Sequence, residues 1–156
     1  LSEFHTKEGI LPMKRLVLAA AFVTLGITAV VAQSDPIATR KALMKENNNQ
    51  VRIAREMIDG TQPFNLDAAR KVFTTFGGVA SKGKDLWPDS SKAGESASLP
   101  AIWDNKPDFE ARLAAFSADA KIAEGKVTDL DSFKEQLREI GKHCGGCHTA
   151  YRQKLS

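Results

Sequence analysis

The sequence is poor in the residues that build most metal and disulfide sites. Its 156 residues include only two cysteines and three histidines. A structural zinc site needs about four ligands of these types, so the composition argues against one. No alternation of apolar and polar residues is convincing, which argues against a sheet and against the βαβ setting of a thioredoxin-like cysteine pair. The formal net charge of +3 indicates neither a nucleic-acid surface nor a membrane-binding patch.

Both cysteines lie in one short motif, Cys144-Gly145-Gly146-Cys147-His148. Cys-x-x-Cys-His is the attachment signature of c-type haem. Each thiol adds to one haem vinyl group, and the histidine after the second cysteine reaches the iron as proximal ligand. The motif therefore predicts one covalent haem c on Cys144 and Cys147, with His148 bound to the iron. A redox-active pair formed by the same two thiols is the alternative.

The N-terminal part of the sequence has the pattern of an export signal. Met13 is followed by two basic residues and by an apolar run from Leu16 to Val31, with a small-residue cleavage site at Ala32. The run is shorter than the ~20 residues that a membrane-spanning helix needs, although an uncleaved anchor is the alternative. We expect a periplasmic protein without a membrane segment after cleavage. The expected divisions are upstream sequence at 1–12, a signal peptide at 13–32 and one domain at 33–156.

Apolar residues at helical spacing divide the remaining chain into four helices, and we see no internal repeat. The expected helices run from Asp35-Pro36 to Asp59-Gly60, from Asn65 to Gly83, from Asp104–Pro107 to Gly125, and from Asp129 or Asp131 onward. A stretch rich in Ser, Pro and Gly separates the second helix from the third, from Lys84 to Trp103. The apolar or small positions assigned to the first helix are Met44, Val51, Ala54 and Ile58, with Asn47 in register. This pattern predicts an all-α fold, an antiparallel four-helix bundle.

The fourth helix has the clearest apolar face. Residues at steps of three and four fall on one side of it: Leu130, Phe133, Leu137, Ile140, Cys144, Cys147 and Tyr151. His148 lies one residue further around, so a single helix can present every atom that bonds the haem. Gly141, Gly145 and Gly146 each weaken the helix by about 1 kcal/mol relative to alanine. We expect the attached haem to order this segment.

The closing segment from Gly141 to Arg152 resembles the end of class II cytochromes c, the cytochrome c-prime family, with an aromatic residue three positions and a basic residue four positions after the histidine. Leu86-Trp87-Pro88 and Pro100-Ala101-Ile102-Trp103 are similar to further family features. The resemblance covers Ser34 to Ser156. It implies a four-helix bundle with its covalent haem near the C-terminus. It also implies dimerisation through the first two helices, as in many relatives.

The resemblance further implies a sixth iron ligand. Low-spin members of the c-556 type carry a methionine four residues after an arginine that meets a haem propionate, and Arg40 and Met44 match this spacing. The alternatives are that Met44 is core filler and that Arg40 is an exposed helix charge. Met57 lies on the same helix, at the wrong position for this motif. Arg152, four residues after His148, is expected to cover that ligand or tune its charge, or else to be a surface charge.

These residues predict a mono-haem electron carrier with an unidentified redox partner protein, and not an enzyme. A protein that binds NO or CO at an open sixth iron position is the first alternative, and a thiol oxidoreductase is the second. Among the other residues, we expect Trp87 and Trp103 to pack, Tyr151 to lie in the core and His143 to lie on the surface. Asn47 either hydrogen-bonds near the haem or lies on a solvated face.

Overall fold

The structure is a computed structural model that describes residues 35–154. Most of this part of the chain is helical. The expected signal peptide lies outside the described residues. The elements are α1 Pro36–Ile58, α2 Leu66–Gly83, a 3-10 turn Asp89–Ser91, α3 Ala101–Asp104, α4 Lys106–Lys126 and α5 Leu130–Tyr151. Within residues 35–154 the extended pairing is limited to one isolated bridge between Ser98 and Arg152. None of the helices in this part of the chain combines the length and apolar character required to cross a bilayer.

Polar side chains begin three of the four long helices where the sequence indicates. Asp35 and Asn65 accept hydrogen bonds from backbone N–H groups in the first turns of α1 and α2. Asp129 and Ser132 form a reciprocal capping box at the start of α5. Gly60 follows α1 with a φ of 81°, a left-handed conformation that glycine adopts without strain. These local signals explain why the helix bounds follow the sequence closely.

The helices enclose two separate groups of apolar residues. In the larger group, the main cluster, buried residues of α1, α2, α4 and α5 pack with Val127: Ala54, Met57, Ala69, Val72, Phe73, Phe76, Ala120, Ala123, Phe133 and Ile140. The second group, the aromatic cluster, consists of Ile102, Phe109 and Tyr151, with Trp87, Ala101, Trp103, Leu113 and Cys147 packed against them. α2 packs along α4, with α1 beside α2 and α5 beside α4, whereas α1 and α5 meet at few positions.

The buried face of α1 differs from the expected one. Leu43 and Met57 are buried, with 8% and 4% of their surface exposed, whereas Met44 and Ile58 are exposed by 44% and 37%. Each exposed residue directly follows a buried apolar residue, and neighbours along a helix point about 100° apart. The sequence contains two overlapping apolar stripes on this helix. The prediction that Ile58 lies on the buried stripe was wrong, because Met57 lies there instead.

The stretch between α2 and α4 is ordered by specific contacts. Trp87 donates its indole N–H to the Gly83 carbonyl at 2.8 Å, and Trp103 donates to the Pro88 carbonyl at 3.3 Å. The two rings also contact each other edge to face at 5.7 Å between centroids. Two backbone bonds join residues 97–99 to residues 151–153, the end of α5. Both tryptophans therefore pack, as expected, and the loop is tied to the helix that carries the haem motif.

Candidate haem site

The haem motif lies in the last two turns of α5, which continues through its glycines to Tyr151. Cys144 and Cys147 are both half-buried, and their thiols are not joined to each other in the described structure. Burial raises the pKa of both thiols, and the positive charge of Arg112 opposes this rise at Cys147. Cys144 and Cys147 are three residues apart on α5, which places them about one helical turn apart.

His148 follows the cysteines on a more exposed part of the helix. Partial burial lowers the pKa of its imidazole, and the charge of Arg152 lowers it further. A lower pKa favours the neutral imidazole, which is the form that binds a metal. Arg152 is half-buried and ends α5 by donating its backbone N–H to the His148 carbonyl at 3.2 Å. The charge of Arg152 therefore acts on His148, whereas a cover for the ligand by the Arg152 side chain stays a prediction.

Arg40 on α1 is buried, with only 6% of its surface exposed. Its Nη1 donates to the Leu86 carbonyl at 2.7 Å and to Ser91 Oγ at 2.9 Å. The guanidinium lies over the Trp87 ring, 4.1 Å from its centroid. Burial lowers the pKa of Arg40, while the negative charge of Asp35 opposes this shift. Arg40 is therefore a buried cation inside the fold, and the alternative of an exposed helix charge is wrong.

Two donors of Arg40, Nε and Nη2, are buried without a hydrogen-bond partner among the described residues. These two N–H groups point to the same side of the guanidinium and form the fork that receives a carboxylate in a bidentate pair. Buried donors are normally satisfied, so these two N–H groups are suited to an anionic partner. A haem propionate has the required chemistry, and the residues present fit the cofactor that the motif indicates.

Candidate haem residues lie outside the main cluster on α1, and on α5 they begin between the two clusters. Along α1, Met44 and Asn47 separate Arg40 from Ala54, the first residue of the main cluster on that helix. Along α5, Cys144 separates Ile140 of the main cluster from Tyr151 of the aromatic cluster. Met44 belongs to neither cluster, and the buried Oδ1 of Asn47 has no partner among the described residues.

Two contacts between α4 and α5 could not be predicted from the sequence. His143, expected on the surface, is half-buried: its Nε2 lies 2.8 Å from Asp119 Oδ2, and its ring stacks on Phe116. Tyr151 is buried as expected, and its hydroxyl bonds the Asp108 carboxylate. Helical spacing alone cannot show which α4 side chain meets which α5 side chain, because this depends on how the two helices pack.

Comparison with known proteins defines the class. The family model described as Cytochrome C' matches residues 35–152. The cytochrome c-556 of Rhodopseudomonas palustris is 31% identical over 147 residues, covering 91% of this chain and 99% of that one. The cytochrome c' of the same organism is 32% identical over 143 residues, covering 91% and 98%. These relatives are c-type cytochromes, and they match nearly along their whole lengths.

Solved structures agree with the sequence comparison. The cytochrome c' of Rhodopseudomonas palustris superposes with a TM-score of 0.74 at 31% identity, covering 80% of this chain and 100% of that one. A structure of oxidised cytochrome c556 from the same organism gives a TM-score of 0.73 at 29% identity, covering 80% and 100%. The chain belongs to the cytochrome c-prime family, the class II cytochromes c. The four-helix bundle is confirmed, and so is haem c as the cofactor.

Proposed function

We propose that this chain is a periplasmic mono-haem electron carrier with Met44 and His148 as axial iron ligands. In this proposal Cys144 and Cys147 hold the haem covalently, and the fork of Arg40 binds a propionate. The cofactor supplies one-electron chemistry, while the protein supplies attachment, orientation and a docking edge for a redox partner protein. The proposal includes export through the N-terminal signal and a homodimer formed through α1 and α2. Sedimentation of the purified protein tests the dimer.

The exposure of Met44 is the observation that carries the proposal. Met44 exposes 44% of its surface, whereas Met57 on the same helix is 4% exposed and belongs to the main cluster. A methionine that only fills the core should resemble Met57. Met44 instead lies four residues after Arg40, whose Nε and Nη2 donors are buried without a partner among the described residues. This contrast supports a role for the thioether outside the apolar core.

Two axial protein ligands would leave no open position on the iron, and a thioether ligand favours the reduced state. Both properties suit electron transfer. Gas binding is the second candidate because the chain is almost equally similar to a cytochrome c-556, at 31% identity, and to a cytochrome c', at 32%. Gas binding requires an iron whose sixth position is open or easily vacated.

Replacing Met44 with leucine separates the two functions. The change removes the sulfur and keeps a similar volume, so the fold should survive. We expect native protein to be low-spin and slow to bind CO, and Met44→Leu to be high-spin and to bind CO faster, with a lower reduction potential. Met57→Leu is the matched control and should leave the optical spectrum unchanged. High-spin native protein, or a Met44→Leu spectrum like the native one, would rule out the ligand assignment and favour gas binding.

A further inference from the structure

An ion pair on α4 is joined to the end of α5 through a single carboxylate. Arg112 Nε donates to Asp108 Oδ2 at 2.7 Å, and the two residues lie one helical turn apart. The hydroxyl of Tyr151 bonds the same oxygen of Asp108. Tyr151 is buried and is packed edge to face on Phe109, 5.2 Å between ring centroids. The pair is therefore fixed against the last residue of the helix that carries the haem motif.

The cation of this pair lies beside the haem motif itself. A Cβ placed on Gly146 would be 3.8 Å from Arg112 Nη1. The Arg112 guanidinium is also 5.8 Å from the centre of the Tyr151 ring. A groove of about 420 Å³ between α4 and α5 is lined by Arg112 together with Gly146 and Cys147. Gly146 and Tyr151 flank Cys147 and His148 along the chain, so the guanidinium is held next to the attachment turn.

We propose that Arg112 raises the reduction potential of the haem iron and that Asp108 opposes this effect. The inference rests on the proposed function, because it requires haem on Cys144 and Cys147. Reduction removes one unit of positive charge from the iron centre, so a nearby cation stabilises the reduced state and a nearby anion destabilises it. The side chains of Arg112 and Asp108 are 44% and 41% exposed, and the effect should therefore weaken with added salt.

Removing each charge in turn tests the proposal by the sign of the change. We expect Arg112→Gln to lower the reduction potential and Asp108→Asn to raise it, relative to the native holoprotein at low ionic strength. Loosening the helix contact alone would move both variants in the same direction. Both shifts should shrink as salt is added. Arg112→Lys keeps the charge and should restore most of the native potential.

Tyr151→Phe provides the control for packing. It removes the hydrogen bond to Asp108 while keeping the aromatic ring and both charges, so its potential should stay closer to native than that of either charge variant. Shifts of equal sign in Arg112→Gln and Asp108→Asn, or a Tyr151→Phe shift as large as theirs, would overturn the proposal. Intact mass is measured first: protein without covalent haem would instead refute the proposed function, independently of any potential.

Discussion

At the scale of single residues, Arg40 shows how much the packing adds to the sequence. Its spacing to Met44 follows from the sequence. Its burial does not, because its partners Leu86 and Ser91 lie more than forty residues further along the chain, in the stretch after α2. Burying a guanidinium is costly unless its donors are satisfied. Two donors remain without partners among the described residues, which is the strongest structural support for a carboxylate at this position.

Arg40→Lys should destabilise the holoprotein by about 1–3 kcal/mol, because an ammonium keeps the charge but loses the planar fork and the stacking on Trp87. Thermal unfolding measures the change. Lys41→Ala is the matched control on the neighbouring exposed residue and should change stability by less than about 0.5 kcal/mol. Equal unfolding midpoints for the Arg40 variant and the native protein would argue against a bound carboxylate at the fork.

At the scale of helices, local signals predict the ends better than the faces. Asp35, Asn65 and Asp129 begin their helices as the sequence indicates, since capping depends on a few neighbouring residues. The face of α1 could not be read in the same way, because Leu43 and Met44 are adjacent and both apolar. On α5 the expected face was right, since no competing stripe exists beside Phe133 and Ile140. Contacts between helices, such as that of His143 with Asp119, could not be predicted because they depend on how the helices pack.

Glycine substitutions should have opposite effects on two helices. A Cβ on Gly141 of α5 meets nothing within 4 Å, so Gly141→Ala should stabilise the protein by about 0.5–1 kcal/mol through helix propensity. A Cβ on Gly77 of α2 would lie 3.4 Å from the Ser117 carbonyl oxygen on α4. Gly77→Ala should therefore raise the free energy of unfolding by less than Gly141→Ala does, or lower it. Chemical denaturation measures both variants. Equal stabilisation would show that a methyl group at Gly77 fits against Ser117 without cost.

The cap of α5 should make stability depend on pH. Hydrogen bonds from the Ser132 backbone and side chain hold the pKa of Asp129 below its ordinary value. Its folded pKa is thus below its unfolded pKa, so the stabilisation is present above the unfolded value and is lost as the pH falls through the folded one. Asp129→Ala should lower Tm by several degrees near pH 7 and by much less below about pH 3. Asp131→Ala, on a nearly fully exposed residue, should change little at either pH.

At the scale of the whole molecule, the haem motif contacts one of the two apolar clusters and lies outside the other. The main cluster contains neither cysteine, whereas Cys147 packs against the aromatic cluster. α1 and α5 meet at few positions, and the candidate haem residues lie outside the main cluster on both helices. A covalent group bound to α5 and contacting Arg40 and Met44 would join these two helices. The bundle should therefore depend on the cofactor for its full stability.

Removing both attachment thiols tests this dependence. In a Cys144→Ala, Cys147→Ala variant, the main cluster can still form, but α5 keeps three glycines that together weaken it by about 2–3 kcal/mol relative to alanines. We expect poor accumulation, reduced helix content by circular dichroism and a lower Tm. Met44→Leu, which keeps the covalent haem, is the control and should retain native helix content. If the cysteine-free variant matches the native protein in helix content and melting, the apolar clusters alone are sufficient to fold the bundle, and the haem adds function without stability.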